Sequence, residues 1–465
     1  MNDLIFKQYD IRGKVGSELL IENVYGLGLA IAHYFKGERT SFKAISLGMD
    51  GRIHSPMIKE ELTRAFLDSG IDVIFIGTCP TPVLYFSLFN LDVQGGIIIT
   101  ASHNGKEYNG LKICLDQKSI WGEQIQKIKH SYNEKKSSLA NKKGTYSTVN
   151  MIDIYISWLK NHFKHLVGMQ LSVLIDCGNG AAGTVLPKLI KEMAWKGTDL
   201  LYAEVDGNYP NHEADPVVEK NMQDLKKLVI EKPYKFGIGF DGDCDRMAPL
   251  TREGAIVPGD KLLAVFANQL VTIQPDSTIV FDIKCSGGLI EVLDALKARW
   301  IISPSGHSII KNEMKKNNAL LAGELSCHFF FKDRYYGYDD GIYAMMRLFE
   351  IILQTGKNLS ELLTIFPEKY NTPEYRIVCE KQQTDLLLAE VIKTFEQDPT
   401  VQLMTIDGIR VTMKDGWGLL RPSNTQPVIC LRFEANSEIN LAKIKQTFIN
   451  LMTPYINQAT LAELY

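Results

Sequence analysis

The sequence predicts an α/β protein: three similar mixed α/β domains followed by a smaller C-terminal α+β domain. Three observations carry this expectation. One plan recurs three times, in which a β-branched run ends in Asp and a small-residue turn, then come a helical stretch, a second strand and a third strand that enters a polar loop. Strands that alternate with helices in this way call for largely parallel sheets covered on both faces. From residue 370 onward the plan gives way to several strands and two helices in a different order.

The first unit has Ala44–Met49 running into Asp50-Gly-Arg52, a helix over residues 55–69, the strand Asp72–Ile76, and Gly96–Ile99 leading into Thr100-Ala-Ser102-His103-Asn104. The second has Val173–Asp176 with the turn Cys-Gly-Asn-Gly180, a helix, the strand Leu200–Val205 and the apolar run Phe236–Phe240 entering Asp241. The third has Ile279–Asp282 with Ile-Lys284-Cys-Ser, a helix, Trp300–Ile302, and Ala319–Ala322 leading into Gly323-Glu324-Leu-Ser326-Cys-His328. In such sheets ligands collect beyond the carboxyl ends of the strands, so the three polar loops occupy equivalent places. The C-terminal part reads as a strand at Tyr375–Val378, a helix, strands at Val401–Ile406 and Ile409–Met413, a loop at Arg421–Thr425, a strand at Val428–Phe433 and a last helix. Domains are expected at 1–150, 151–255, 256–368 and 369–465, with linkers near Lys135–Lys143 and Pro367–Pro373.

Composition excludes several classes. The 465 residues are 45% hydrophobic and 23% charged with a formal net charge of −3, so no basic surface for nucleic acid is expected. The N-terminal Met1–Lys7 lacks the apolar core of a signal peptide and nothing resembles a membrane span, which predicts a cytoplasmic chain with no membrane partner. Eight cysteines without a Cys-x-x-Cys pair read as reduced thiols rather than a zinc site or disulfide framework.

Asp241, Asp243 and Asp245, closed by Arg246, aim several carboxylates from one strand end at a point. Hard divalent cations such as Mg²⁺ take oxygen ligands of this kind and commonly work on phosphates. A calcium EF-hand requires Gly and Glu where Arg246 and Arg252 stand, and is excluded. A phosphatase with an aspartyl nucleophile stays open on the triplet alone. A solvated acidic turn is disfavoured because three like charges repel unless a cation sits among them.

Ser102 lies at a strand end with Lys112 ten residues on; it reads as a turn cap, a nucleophile or a phosphate carrier. Ala101 and His103 do not supply a nucleophile elbow, whereas a phosphoserine would complete the coordination of a metal held by three aspartates. Arg246 is then placed to neutralise phosphoryl oxygens. Glu324, Ser326 and His328 offer acceptors and a donor suited to vicinal hydroxyls. Arg421, Ser423, Asn424 and Thr425 form a candidate cradle for a phosphate dianion without a P-loop glycine pattern. Gly178-Asn-Gly180-Ala-Ala-Gly183 with Glu204 or Asp206 imitates a dinucleotide fingerprint, but the corresponding turns of the other repeats do not share it, and it is read as a tight turn.

With these loops together the chain resembles the α-D-phosphohexomutase family, most closely its bacterial phosphomannomutase/phosphoglucomutase branch. Tyr9-Asp-Ile-Arg12-Gly matches the family's opening motif, and the serine, aspartate, sugar and phosphate loops follow in the family's order. The resemblance implies four domains around a central cleft, with Ser102 as phosphoserine and Asp241, Asp243 and Asp245 holding Mg²⁺ with its phosphate. It implies that Arg246 and Lys284 contact the sugar or transferring phosphate, that Glu324 and Ser326 bind hydroxyls, and that Arg421, Ser423, Asn424 and Thr425 hold the other phosphate. Tyr9, His307 and His328 join the substrate-binding set, and Lys112, with Arg12, His103 and His307 in support, is the expected acid/base group. The implied reaction is reversible phosphoryl transfer between the 1- and 6-positions of a hexose phosphate, mannose or glucose, through a 1,6-bisphosphate that turns over; glucose 1,6-bisphosphate is the expected activator and the protein a monomer or weak dimer.

Several residues depart from the family pattern. Gly105 follows Asn104 where Pro is usual, which is expected to loosen the serine loop. Cys244 and Cys327 replace glycines and are expected to be strained if φ is positive there. Gln426 stands where Glu is frequent. Leu325, apolar like the Met of the mannose/glucose branch, favours that branch over phosphoglucosamine mutase, the alternative; a metal-dependent sugar phosphatase and a non-catalytic sugar-phosphate binder are remoter ones.

Overall fold

The computed structural model describes residues 2–422 and 428–457 together with Leu461 and Leu464. It contains two compact units. The first comprises the chain up to Pro258 with Ser326–Phe331 and Tyr338–Leu362, and the second comprises Gly259–Leu325, Lys332–Gly337 and the chain from Leu363 onward.

In the first unit one sheet runs in the order Ile11–Lys14, Tyr108–Leu115, Gly95–Ile99, Ala44–Met49, Asp72–Thr78 and Tyr146–Thr148. Its central strands are parallel, and Tyr108–Leu115 returns antiparallel beside Gly95–Ile99. The β-branched residues Ile45, Val73, Ile97 and Ile99 point into a core closed by Phe35, Leu62 and Phe66 of the flanking helices. The second sheet runs Met247–Leu250, Phe236–Phe240, Gln170–Asp176, Lys196–Leu201. In the second unit Thr278–Asp282 lies parallel between Arg299–Ser303 and Leu321–Gly323. The C-terminal sheet is antiparallel, Val428–Ala435, Gly416–Pro422, Ile409–Met413 and Gln402–Met404 following one another.

The repeated Asp at the end of each first strand has one physical role. Asp50, Asp176 and Asp282 are buried, and each carboxylate accepts hydrogen bonds from backbone or hydroxyl donors of nearby turns: Arg52 N and Ser55 Oγ, Gly178 N, and Leu325 N with Ser305 Oγ. A buried carboxylate needs such donors, so the strand end and its turn form together.

The three α/β repeats and the C-terminal α+β sheet are as expected, but several elements differ. The strand expected at Leu200–Val205 is Lys196–Leu201, because its register against Gln170–Asp176 ends at Leu201 and Tyr202 turns away at φ 51°. The polar Lys196 and Asp199 of this edge strand hide it from an apolar pattern. Val401–Ile406 shortens to Gln402–Met404 and Ala319–Ala322 becomes Leu321–Gly323. The helix Thr81–Asn90 has no polar face to reveal it, since Pro82 through Leu88 are all buried. Arg421 and Pro422, expected in a loop, end the strand Gly416–Pro422. Its glycines are packing requirements: a Cβ at Gly418 would meet the Phe448 ring at 2.3 Å and one at Gly416 the Glu434 carbonyl at 2.1 Å. Within the expected linker Lys135–Lys143, Ala140 N donates to Asp68 O, and beyond it the strand Tyr146–Thr148 joins the first sheet. Among the described residues no helix is long and apolar enough to cross a membrane.

Candidate active site

In the first unit the strands Gly95–Ile99 and Phe236–Phe240 deliver the serine and aspartate loops to each other. Ser102 Oγ donates to Asp241 Oδ2 at 3.0 Å and lies 3.1 Å from His103 Nδ1. The contact requires Gly242, whose Cβ would stand 2.5 Å from the Ser102 carbonyl oxygen. Ser102 is buried, with φ 51°.

Asp241, Asp243 and Asp245 are fully buried, and one carboxylate oxygen from each lies within 4.8 Å of the others. Lys112 Nζ donates to Asp243 Oδ2 at 2.6 Å and also to Asp245 Oδ2. Burial alone would push this ammonium down, but Asp243 and Asp245 outweigh it and raise its pKa, so Lys112 is held in its ammonium form. Arg246 reaches Asp241 Oδ2 at 3.0 Å and Asp215 Oδ1 at 3.2 Å. Burial and the neighbouring Asp245 push the Asp241 carboxyl well above the usual carboxylate range. That crowding of buried negative charge is the condition a divalent cation relieves, and Asp243 Oδ1 accepts no hydrogen bond among the described residues. The donor set, three carboxylates with an unsaturated oxygen, fits a hard cation.

Arg12 pairs with Asp10 and donates to Asn104 Oδ1 of the serine loop at 2.5 Å, with half-buried Tyr9 just before. His103 is exposed on one side; desolvation by the protein around it and the Arg246 and Arg12 guanidiniums push its pKa well below the usual imidazole range. His328 bridges two loops, Nε2 lying 3.3 Å from Asp245 Oδ1 and Nδ1 3.1 Å from Ser326 Oγ. The first unit thus gathers Ser102, Lys112, Arg12, His103, the aspartates, Arg246, Ser326 and His328.

The second unit gathers the others. Glu324 Oε1 accepts from Gly306 N at 2.7 Å, next to His307, whose Nδ1 lies 3.1 Å from Lys311 Nζ. Lys284 lies 3.7 Å from Asp282 and 3.9 Å from Glu374; burial alone would lower its pKa, and these carboxylates raise it. Arg421 donates to Asp407 Oδ2 at 2.7 Å, which also accepts from Ser305 N at 3.0 Å. Ser423, Asn424, Thr425 and Gln426 lie outside the described residues.

Sequence reasoning missed four residues around these sites. Thr81, at the start of its helix, donates to Asp243 through Oγ1 at 2.6 Å and to the Asp243 carbonyl through its amide. Asp215 neutralises Arg246, and Asp407 orients Arg421. Arg52, seen only as part of a turn, donates to the carbonyls of Ser102, Asn104, Gly105 and Tyr108. Arg52 thus contacts the serine loop on both sides of the Asn104–Gly105 step, where Gly105 is expected to loosen it. Cys244 and Cys327 do take positive φ, 62° and 69°, as feared for non-glycine residues, and both are buried.

Family models of phosphoglucomutase/phosphomannomutase match along the chain: α/β/α domain I at residues 3–139, domain II at 153–254, domain III at 258–370 and the C-terminal domain at 374–451. A phosphomannomutase/phosphoglucomutase of Pseudomonas syringae pv. tomato is 40% identical over 449 residues, 96% of this chain and 94% of that protein. A phosphoglucomutase of Neisseria gonorrhoeae is 38% identical, covering 96% and 95% respectively. The solved structure of a phosphoglucomutase/phosphomannomutase family protein from Burkholderia thailandensis matches with a TM-score of 0.90 at 33% identity, over 98% of both chains. Full-length similarity of this kind, joined to the serine and aspartate loops in contact, makes the chain a member of the α-D-phosphohexomutase family, of the bacterial phosphomannomutase/phosphoglucomutase type.

Proposed function

We propose that this protein is a hexose-phosphate mutase that moves a phosphoryl group reversibly between the 1- and 6-positions of mannose or glucose phosphates, with Ser102 as the carrier. The observation that carries the reading is the Ser102 hydroxyl 3.0 Å from Asp241, inside a cluster of three buried carboxylates. Mg²⁺, the expected ion at Asp241, Asp243 and Asp245, supplies when bound a positive charge beside the phosphoryl oxygens. Arg246 stays protonated next to the same oxygens and stabilises charge that develops there. Lys112, held in its ammonium form by Asp243 and Asp245, faces the departing oxygen as an acid rather than a base, and its raised pKa makes it a weak one that also adds positive charge there.

Transfer from phosphorylated Ser102 to the free hydroxyl forms the hexose 1,6-bisphosphate and frees the serine hydroxyl. After the bisphosphate turns over, the serine hydroxyl takes the other phosphate. Glu324 and Ser326 recognise sugar hydroxyls in either orientation, while Arg421 with Ser423, Asn424 and Thr425 grips the phosphate that does not react. Lys284, His307, His328 and Tyr9 complete the substrate contacts. Relatives of 38–40% identity that are named phosphomannomutase/phosphoglucomutase or phosphoglucomutase favour mannose and glucose over glucosamine. Purified protein with Mg²⁺ and trace glucose 1,6-bisphosphate is expected to isomerise mannose 1-phosphate and glucose 1-phosphate, and Ser102→Ala to abolish the reaction. No isomerisation of these or of glucosamine 1-phosphate would sink the mutase reading. Full activity of Ser102→Ala would remove the carrier.

A further inference from the structure

We infer that Arg52 is a positioning residue that fixes Ser102 in its reactive backbone conformation; the inference rests on the carrier role proposed above. The guanidinium is almost wholly enclosed, with 1% of the residue exposed, and uses all five of its N–H donors. Nε donates to Asp50 Oδ2 at 3.1 Å. Nη2 donates to the carbonyls of Ser102 at 2.7 Å and Asn104 at 2.6 Å, and Nη1 to those of Gly105 at 2.8 Å and Tyr108 at 3.1 Å. Four acceptors from one short loop converge on one planar cation, and the Tyr209 ring lies 5.2 Å from it.

The need for such a grip lies in Ser102 itself. Its φ of 51° is left-handed backbone, which is strained for an L-residue and persists only where the surroundings over-determine it. That conformation sets the direction of the Ser102 carbonyl, which Arg52 holds, and of the side chain, which meets Asp241. Gly105 places neither a ring nor a Cβ in the loop, so the chain there has little stiffness of its own. A lysine at position 52 lacks the planar fork and has three donors instead of five. Arg52 touches neither Ser102 Oγ nor Asp241, Asp243 or Asp245 in any described hydrogen bond; it acts through the loop.

The test compares wild type, Arg52→Lys, Gly105→Pro and the double variant. Proteins are first charged with glucose 1,6-bisphosphate and the phosphate on Ser102 is read by intact mass. A wild type that gains no phosphate there would refute the carrier reading, independently of Arg52. With the carrier established, Arg52→Lys is expected to lower kcat about a hundredfold, as misplacement of a reacting group does, with KM within about threefold. It is also expected to speed the loss of Ser102 phosphate to water, because a wandering loop admits solvent. Proline at 105 narrows the loop's conformations and is expected to restore about tenfold of the lost kcat in the double variant. Unchanged kcat and phosphate lifetime in folded Arg52→Lys would overturn the inference. Should that variant fail to fold, Gly105→Pro alone decides. With Arg52 present the loop is already held, so this variant is expected to leave the Ser102 phosphate lifetime within about threefold of wild type. A tenfold lengthening would show the wild-type loop to be loose and overturn the role.

Discussion

At the scale of single residues, the positions that matter most break a local rule. Ser102, Cys244 and Cys327 all adopt left-handed backbone without being glycine, and each sits on or beside a loop that carries a candidate site residue. Cys244 lies between Asp243 and Asp245; its amide donates to Asp241 O within the turn and its carbonyl accepts from Gly341 N, so a local turn bond on one side and a tertiary contact on the other maintain the strain. His212 is a quieter case with a pH signature. Its Nε2 lies 3.1 Å from Asp176 Oδ2 and its Nδ1 2.9 Å from Glu213 O, so both ring nitrogens face acceptors and only the imidazolium satisfies both. Burial opposes the charge, but Asp176 outweighs it and the pKa is raised. A raised folded-state pKa contributes stability in full below the unfolded value of about 6.5 and loses it as pH rises through the folded value. Replacing His212 by Gln is therefore expected to lower the urea-unfolding free energy by about 1 kcal/mol near pH 6 and by progressively less toward pH 9. A difference that is constant with pH would contradict this.

At the scale of elements, backbone approach decides which loops meet. The helix Thr81–Asn90 places Thr81 on Asp243, so a helix invisible in the sequence pattern anchors the aspartate loop. Gly242 lets that loop lie against the Ser102 carbonyl. An alanine there puts a methyl 2.5 Å from that carbonyl oxygen, which is backbone and cannot swing aside, and 3.1 Å from the Tyr209 hydroxyl. Gly242→Ala is expected to cost about 1–3 kcal/mol of stability and to cut kcat more than it changes KM, read by urea unfolding and steady-state kinetics. A variant with wild-type values in both would show the two loops to be independent. The C-terminal sheet holds another turn in a comparable way. Arg410 donates to the carbonyls of Ile283 and Cys285, Arg432 to that of Lys284, and Glu434 accepts from Gly287 N. The Arg410 guanidinium stacks 3.9 Å from the Trp417 ring centroid, and its burial lowers its pKa to about 10.

For the whole molecule, the expected metal links stability to ligand. Three buried carboxylates around a common point repel one another unless positive charge balances them. Mg²⁺ that binds only the folded chain adds about 2.7 kcal/mol at a hundredfold excess over its Kd. Calorimetry is expected to show a rise in unfolding temperature with Mg²⁺ that EDTA reverses. The same titration on Asp243→Asn is expected to give a much smaller rise; an equal rise in both would place the ion elsewhere.

Much of this is legible in the sequence alone. The three repeats, the C-terminal change of plan and the aspartate triplet follow from local physics: apolar runs bury, and strand ends carry polar loops. The serine, aspartate, sugar and phosphate motifs in their order point to the family that the full-length comparisons show. What the tertiary structure alone decided concerns partners distant in sequence. Nothing near Arg52 announces that it grips Ser102 fifty residues on, nor does anything near Thr81, Asp215 or Asp407 foretell Asp243, Arg246 or Arg421. Such pairings depend on sheet register and loop approach. A buried charge is satisfied by whichever chain the fold brings to it, and local sequence does not encode that neighbour.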